Sequence, residues 1–171
     1  MARLFFALWP DDALRRQVAA QAVALNHAHE GGGRLLSQER LHLTLRFVGD
    51  FADGQLEHLR DSALAVAGEV ELAPFDLVLD HAGSFGRRTW WLAPSDSEAL
   101  GGLRQRLDAA LAGAGFPAAA EAFAPHVTLV RDAVRELPAT PIAPLAWRVR
   151  GFALVESHAG QPYRTVRHWG G

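Results

Sequence analysis

The sequence His42-Leu43-Thr44-Leu45 returns 84 positions later as His126-Val127-Thr128-Leu129, and its surroundings return with it. The same shift carries Leu8 to Leu92, Pro10 to Pro94 and Asp12 to Asp96, and 32 residues separate the proline from the histidine in both copies. Each copy reads as an apolar run, a proline, an acidic helix start, a helix and then the His-x-Thr strand. A repeat of this kind favours two similar lobes packed about a pseudo-twofold axis, which brings the two motif strands together. In a strand, residues i and i+2 share a face. Each copy therefore sets an imidazole beside a hydroxyl and turns the intervening apolar residues toward a core. The match is imperfect: the helix stripes differ by about two residues (Leu14 against Leu100), and Arg46 maps onto Val130 whereas the second copy has Arg131. A small insertion or a rotated helix would each account for this.

Between these landmarks the pattern predicts an α+β fold. It has two mostly antiparallel sheets, helices on the outside and a central cleft between the lobes, all in one domain spanning residues 1–171. Arg3 to Trp9 reads as a buried first strand, and Leu14, Val18, Ala22 and Leu25 keep helical spacing after an Asp-rich start. Leu41 to Val48 is the first motif strand, with His42, Thr44 and Arg46 on one face. A second helix carries Leu56, Leu59, Ala63 and Val66. A hairpin follows around Gly83-Ser84-Phe85-Gly86, then a third helix with Leu100, Leu103, Leu107 and Leu111, whose Ser95 and Glu98 have capping-box spacing. The second motif strand runs from about Phe123 to Val130. Pro138, Pro141 and Pro144 predict a loop before two last strands, one through Trp147 and Val155 and one from Tyr163 to Trp169.

Composition narrows the chemistry. A formal charge of −2 gives no general affinity for polyanions, so any nucleic-acid contact would come from a few placed arginines. With no cysteine, thiolate nucleophiles, disulfides and Cys-ligated zinc are excluded. The apolar run at the N-terminus stops at Pro10, too short for a signal peptide or a membrane span, so a cytoplasmic protein with no membrane contact is expected. Two histidines at His27-x-His29 on a helix do not converge on one ion, and neither a metal nor another cofactor is expected. The remaining histidines, His58, His81, His158 and His168, are read as inert. Ser84 lacks the strand-to-helix elbow of a hydrolase nucleophile.

The matched pair His42 and His126 is different. An imidazole titrates near pH 6.5, so one copy can accept a proton while its twin donates one. That pairing suits in-line displacement at phosphorus, with Thr44 and Thr128 holding the non-bridging oxygens and Arg46 or Arg131 balancing their charge. The motifs are too symmetric to say which histidine is the acid.

On these residues the chain resembles the 2H phosphoesterase superfamily, and within it the bacterial RNA 2′,3′-cyclic phosphodiesterases, also called 2′-5′ RNA ligases. The likeness extends from Arg3-Leu4-Phe5-Phe6-Ala7-Leu8 through both motifs to Leu154-Val155-Glu156-Ser157 and Pro162-Tyr163. It departs from the family where Arg34-Leu35-Leu36-Ser37 lacks a tryptophan common in relatives, and in a short tail from Glu156 to Gln161. The resemblance implies metal-free hydrolysis of a 2′,3′-cyclic phosphate to a 2′-phosphomonoester. His42 would be the proton donor, His126 the proton acceptor, and Thr44 and Thr128 the phosphate ligands. It implies RNA ends and 2′,3′-cyclic nucleotides as substrates, and the same site run in reverse would join RNA ends through a 2′-5′ bond. A monomer is expected. Two other readings keep the cleft: a phosphodiesterase for a small cyclic phosphate such as ADP-ribose 1″,2″-cyclic phosphate, or a non-catalytic module that binds RNA ends.

Overall fold

A computed structural model describes residues 1–171. Its elements, in chain order, are β1 (Ala2–Leu8), α1 (Asp12–Ala28), β2 (Arg34–Leu35), a 3₁₀ turn (Gln38–Arg40), β3 (Leu43–Phe51), α2 (Asp53–Ala67), β4 (Phe75–Phe85), β5 (Thr89–Ala93), α3 (Glu98–Gly113), β6 (Val127–Arg131), β7 (Thr140–Val149), β8 (Gly151–His158) and β9 (Arg164–Gly170). The strands form two four-stranded antiparallel halves. One half is ordered β3-β1-β8-β9 and the other β6-β5-β4-β7. The halves join edge to edge through one residue pair, Leu43 with Val127, which completes a nine-stranded sheet with β2 on β6. The two paired residues are themselves related by the 84-residue shift.

The helices tie the halves together. Asp11 caps α1 by accepting the amide of Leu14, and the stripe Leu14, Val18, Ala22 and Leu25 packs under the opposite half, against β6 and β7. Helix α3, buried through Leu100, Leu103, Leu107 and Leu111, packs under β3 and against α2, which lies on β1. Each motif half is thus backed in part by the helix of the other. One large core lies on the helical side of the sheet; a small second cluster, Phe5, Ala7, Ala153 and Val155 with Trp9 and Tyr163, lines the other side.

Three sequence expectations change. The prolines Pro141 and Pro144 lie inside β7 rather than in a loop. β7 is the outermost strand of its half, where a missing amide costs no ladder bond. The stretch from Trp147 to Val155 is two strands, β7 and β8, because the chain changes halves at Arg150. The capping box of the third helix does not form: α3 begins at Glu98, Ser95 is bonded to Asp80 instead, and Asp96 accepts the Glu98 amide. That later start accounts for the two-residue offset between the helix stripes.

Candidate active site

Both motif histidines sit one residue before their strands begin, His42 ahead of β3 and His126 ahead of β6. Each is pinned in the same way. The His42 Nδ1–H donates to the Arg40 carbonyl at 2.7 Å, and the His126 Nδ1–H donates to the Ala124 carbonyl at 2.7 Å. A carbonyl can only accept, so in the neutral ring the proton is on Nδ1 and the Nε2 lone pair is left free for other work. At His42 that lone pair receives the Thr44 hydroxyl at 3.2 Å.

The Leu43–Val127 pair sets the relation between the copies. Antiparallel register through it places His42 across from Thr128 and Thr44 across from His126. The four side chains then mark the corners of a rough square with the histidines on one diagonal. Between them lies a cavity of about 150 Å³ that these four residues line together with Arg3, Phe5, Leu36, Phe47, Arg131 and Tyr163. Arg131 reaches this cavity and forms no ion pair, so it supplies uncompensated positive charge. Arg3, by contrast, is bonded to Asp50 at 3.1 Å and lies over the Phe47 ring.

Rings enclose the histidines. Phe5, Trp9 and Tyr163 stand 5.2, 5.2 and 5.4 Å from His42, centroid to centroid, and Phe85 stands 4.8 Å from His126. Burial among these apolar walls disfavours the charged imidazole. It pushes His42 down to about 4, against the opposing pull of the Arg40 carbonyl and helped by the nearby charges of His126 and Arg131. His126 is lowered too, by burial first and by Arg131, again opposed by its backbone bond.

Arg46 does not join the site, and the expectation that it could bind substrate is corrected. Its Nε donates to Asp108 at 2.7 Å, its other nitrogens reach the Phe47 and Pro117 carbonyls, and the side chain is buried on the helical side. The cause is a β-bulge. Between Phe6 and Ala7 the register on β3 skips Leu45, so Leu45 and Arg46 both turn inward and Phe47 takes the cavity face. β6 carries the matching irregularity: Trp90 pairs with Val130 and Trp91 with Thr128, so Leu129 and Val130 are buried and Arg131 faces the cavity. Position 47 is therefore the counterpart of 131, and the shift relates a phenylalanine to the arginine. A family model described as "2′-5′ RNA ligase superfamily" matches residues 10–161.

The chain belongs to this superfamily. It is 32% identical over 142 residues to a protein of Escherichia coli (strain K12) named RNA 2′,3′-cyclic phosphodiesterase, covering 81% of this chain and 77% of that one. A Geobacillus stearothermophilus protein of the same name is 36% identical over 110 residues, 62% of this chain but 34% of its own length. The chain thus spans about a third of that relative's length. Among solved structures, E. coli LigT in apo form superposes with a TM-score of 0.81 at 27% identity, over 99% of this chain and 98% of that one. LigT complexed with 3′-AMP superposes with a TM-score of 0.79 at 28% identity, over 98% and 97%.

In this 2H phosphoesterase fold, the cavity residues that sequence reasoning by alternation missed are Arg3, Phe5, Leu36, Phe47 and Tyr163. Phe47 was hidden by the bulge. Arg3 and Phe5 arrive on β1, paired with β3 across more than forty residues, and Leu36 follows β2; no local spacing announces them. His81 and His158 are engaged elsewhere, with Asp80 and Glu156.

Proposed function

We propose that the chain acts as one bilobal unit that hydrolyses RNA 2′,3′-cyclic phosphate ends to 2′-phosphomonoesters, with His42 and His126 as its acid and base. The observation that carries this reading is the pair of imidazoles lining one cavity, each held on Nδ1 by a backbone carbonyl so that Nε2 is the exchanging nitrogen. The names of the relatives and the bound 3′-AMP of LigT support the substrate class.

The cyclic phosphate sits between the histidines, with its non-bridging oxygens toward Thr44, Thr128 and Arg131. Neutral His126 takes a proton from water as the water oxygen attacks phosphorus. Protonated His42 gives its proton to the departing 3′ oxygen, and the phosphate remains on the 2′ oxygen. The acid and base roles follow the family resemblance. Bringing a phosphodiester anion beside His42 offsets the burial that keeps the empty ring neutral, so substrate itself favours the protonated acid. A hydroxyl of an RNA 5′ end in place of water makes the reverse reaction a 2′-5′ ligation.

His42→Ala and His126→Ala should each lower turnover of a nucleoside 2′,3′-cyclic phosphate by about 10²–10⁴-fold, the usual worth of a general acid or base. Their melting temperatures should stay close to wild type, and excess chelator should leave the wild-type rate unchanged. Full activity in either variant would refute the two-histidine reading.

A further inference from the structure

We propose that Phe85, at the rim beside His126, is the stacking platform for the nucleoside that carries the attacking or departing 5′ oxygen, so that the cleft holds two nucleosides, one on each side of phosphorus. The inference rests on the reading above and extends it to the partner strand.

In-line displacement puts the entering and leaving oxygens on opposite sides of phosphorus. If His42 serves the 3′ oxygen, the ribose of the cyclic nucleotide lies on the His42 side, next to Tyr163, and the nucleophile lies on the His126 side. Phe85 stands on that side. Its ring is 4.8 Å from His126 and 5.5 Å from Trp91. It is 45% exposed although aromatic, at the end of β4. The faces of the other two rim aromatics are already engaged by cations: Arg3 lies over Phe47 at 5.3 Å and Arg40 over Tyr163 at 5.0 Å. No cation lies over Phe85. Trp91 packs against it at a tilt of 44°, and the Trp91 indole passes close over Gly83, where a Cβ would stand 2.6 Å from it.

Charge points the same way. The turn that follows Phe85 carries Arg87 and Arg88, and β2 brings Arg34 alongside Arg131. Arg34 and Arg88 share a single carboxylate, Asp132, while Arg87 and Arg131 form no ion pair. In a chain of net charge −2 this corner is locally positive, as a second polyanionic strand requires. Hydrolysis of a cyclic mononucleotide has no use for an aromatic on the water side. A 2′-5′ linkage does.

The discriminating substrate is adenylyl-(2′→5′)-adenosine. Its 3′ hydroxyl attacks phosphorus and passes its proton to neutral His42. The bond from phosphorus to the 5′ oxygen breaks, and that oxygen takes a proton from protonated His126. The products are adenosine 2′,3′-cyclic phosphate and adenosine. Phe85→Ala should reduce kcat/KM on this dinucleotide by about tenfold or more, the worth of one base stacked on an aromatic. The loss on adenosine 2′,3′-cyclic phosphate should be at least fivefold smaller. Phe85→Trp should restore dinucleotide cleavage, and Tyr163→Ala should reduce both reactions. Equal losses on both substrates in Phe85→Ala, no loss on either, or a wild-type protein that hydrolyses the cyclic nucleotide but not the dinucleotide would overturn this inference alone. A wild-type protein inactive on both would overturn it together with the proposed function.

Discussion

The two histidines differ in one respect that the sequence motif hides. His42 is walled by three rings and His126 by one, so burial lowers both but drives His42 down to about 4. A lowered histidine is neutral at pH 7, which is right for the base and wrong for the acid. With His42 as the proposed acid, its protonated form in the free protein is lost as pH rises through about 4, so kcat/KM should fall on its alkaline side from there. In the complex, the phosphate anion raises the pKa of the proton donor, so the alkaline limb of kcat should lie at higher pH than that of kcat/KM. Steady-state profiles on a cyclic mononucleotide between pH 3.5 and 9 check this; coincident limbs would contradict it. The motif made these four residues legible because strand alternation is a local rule. It failed two residues later at Arg46, where one bulged residue reverses the faces and no local signal marks the bulge.

The bulge is held by a cluster of charges between elements. Arg104 on α3 donates to the Leu45 carbonyl at 2.7 Å, and Arg46 donates to that of Phe47, so the two arginines occupy carbonyls on either side of the irregularity. Both guanidinium groups also bind Asp108, at 2.7 Å each. Arg46 reaches the Pro117 carbonyl and Arg104 lies over Phe123, which ties in the segment that leads to His126. Asp108→Ala leaves two nearly buried cations facing each other and should cost about 2–3 kcal/mol. A fall in melting temperature of about 5–10 °C would show it. Asp108→Asn, which keeps an acceptor, should fall less; an unchanged melting temperature in the alanine variant would show that the cluster holds nothing. At this scale the helices and the β4–β5 hairpin were legible from periodicity and turn residues, whereas the first part of β7 was not, since Pro141 and Pro144 normally deny a strand and only its edge position permits one.

Across the whole molecule, α1 leaves β1 and packs beneath the other half, and α3 returns the exchange under β3. The halves meet in the sheet through a single residue pair, so their union depends on these crossed helices and the core they share. Neither half can then lose its helix and keep its core, and urea should unfold the chain in one transition. Trp90, Trp91 and Trp147 lie in one half and Trp9 and Trp169 in or beside the other. With Trp9 and Trp169 replaced by phenylalanine, fluorescence should report the same midpoint as far-ultraviolet circular dichroism; separated midpoints would mean that the halves unfold independently. The 84-residue repeat made the two-lobed plan legible in advance, while the helix exchange was not, because periodicity shows which face is buried but not against which sheet.

In the proposed reaction the 3′ oxygen leaves and the phosphate stays on the 2′ oxygen. Incubating the protein with adenosine 2′,3′-cyclic phosphate and separating the isomeric products tests it most directly. Accumulation of adenosine 2′-phosphate is the predicted result; adenosine 3′-phosphate, or no product, would contradict it.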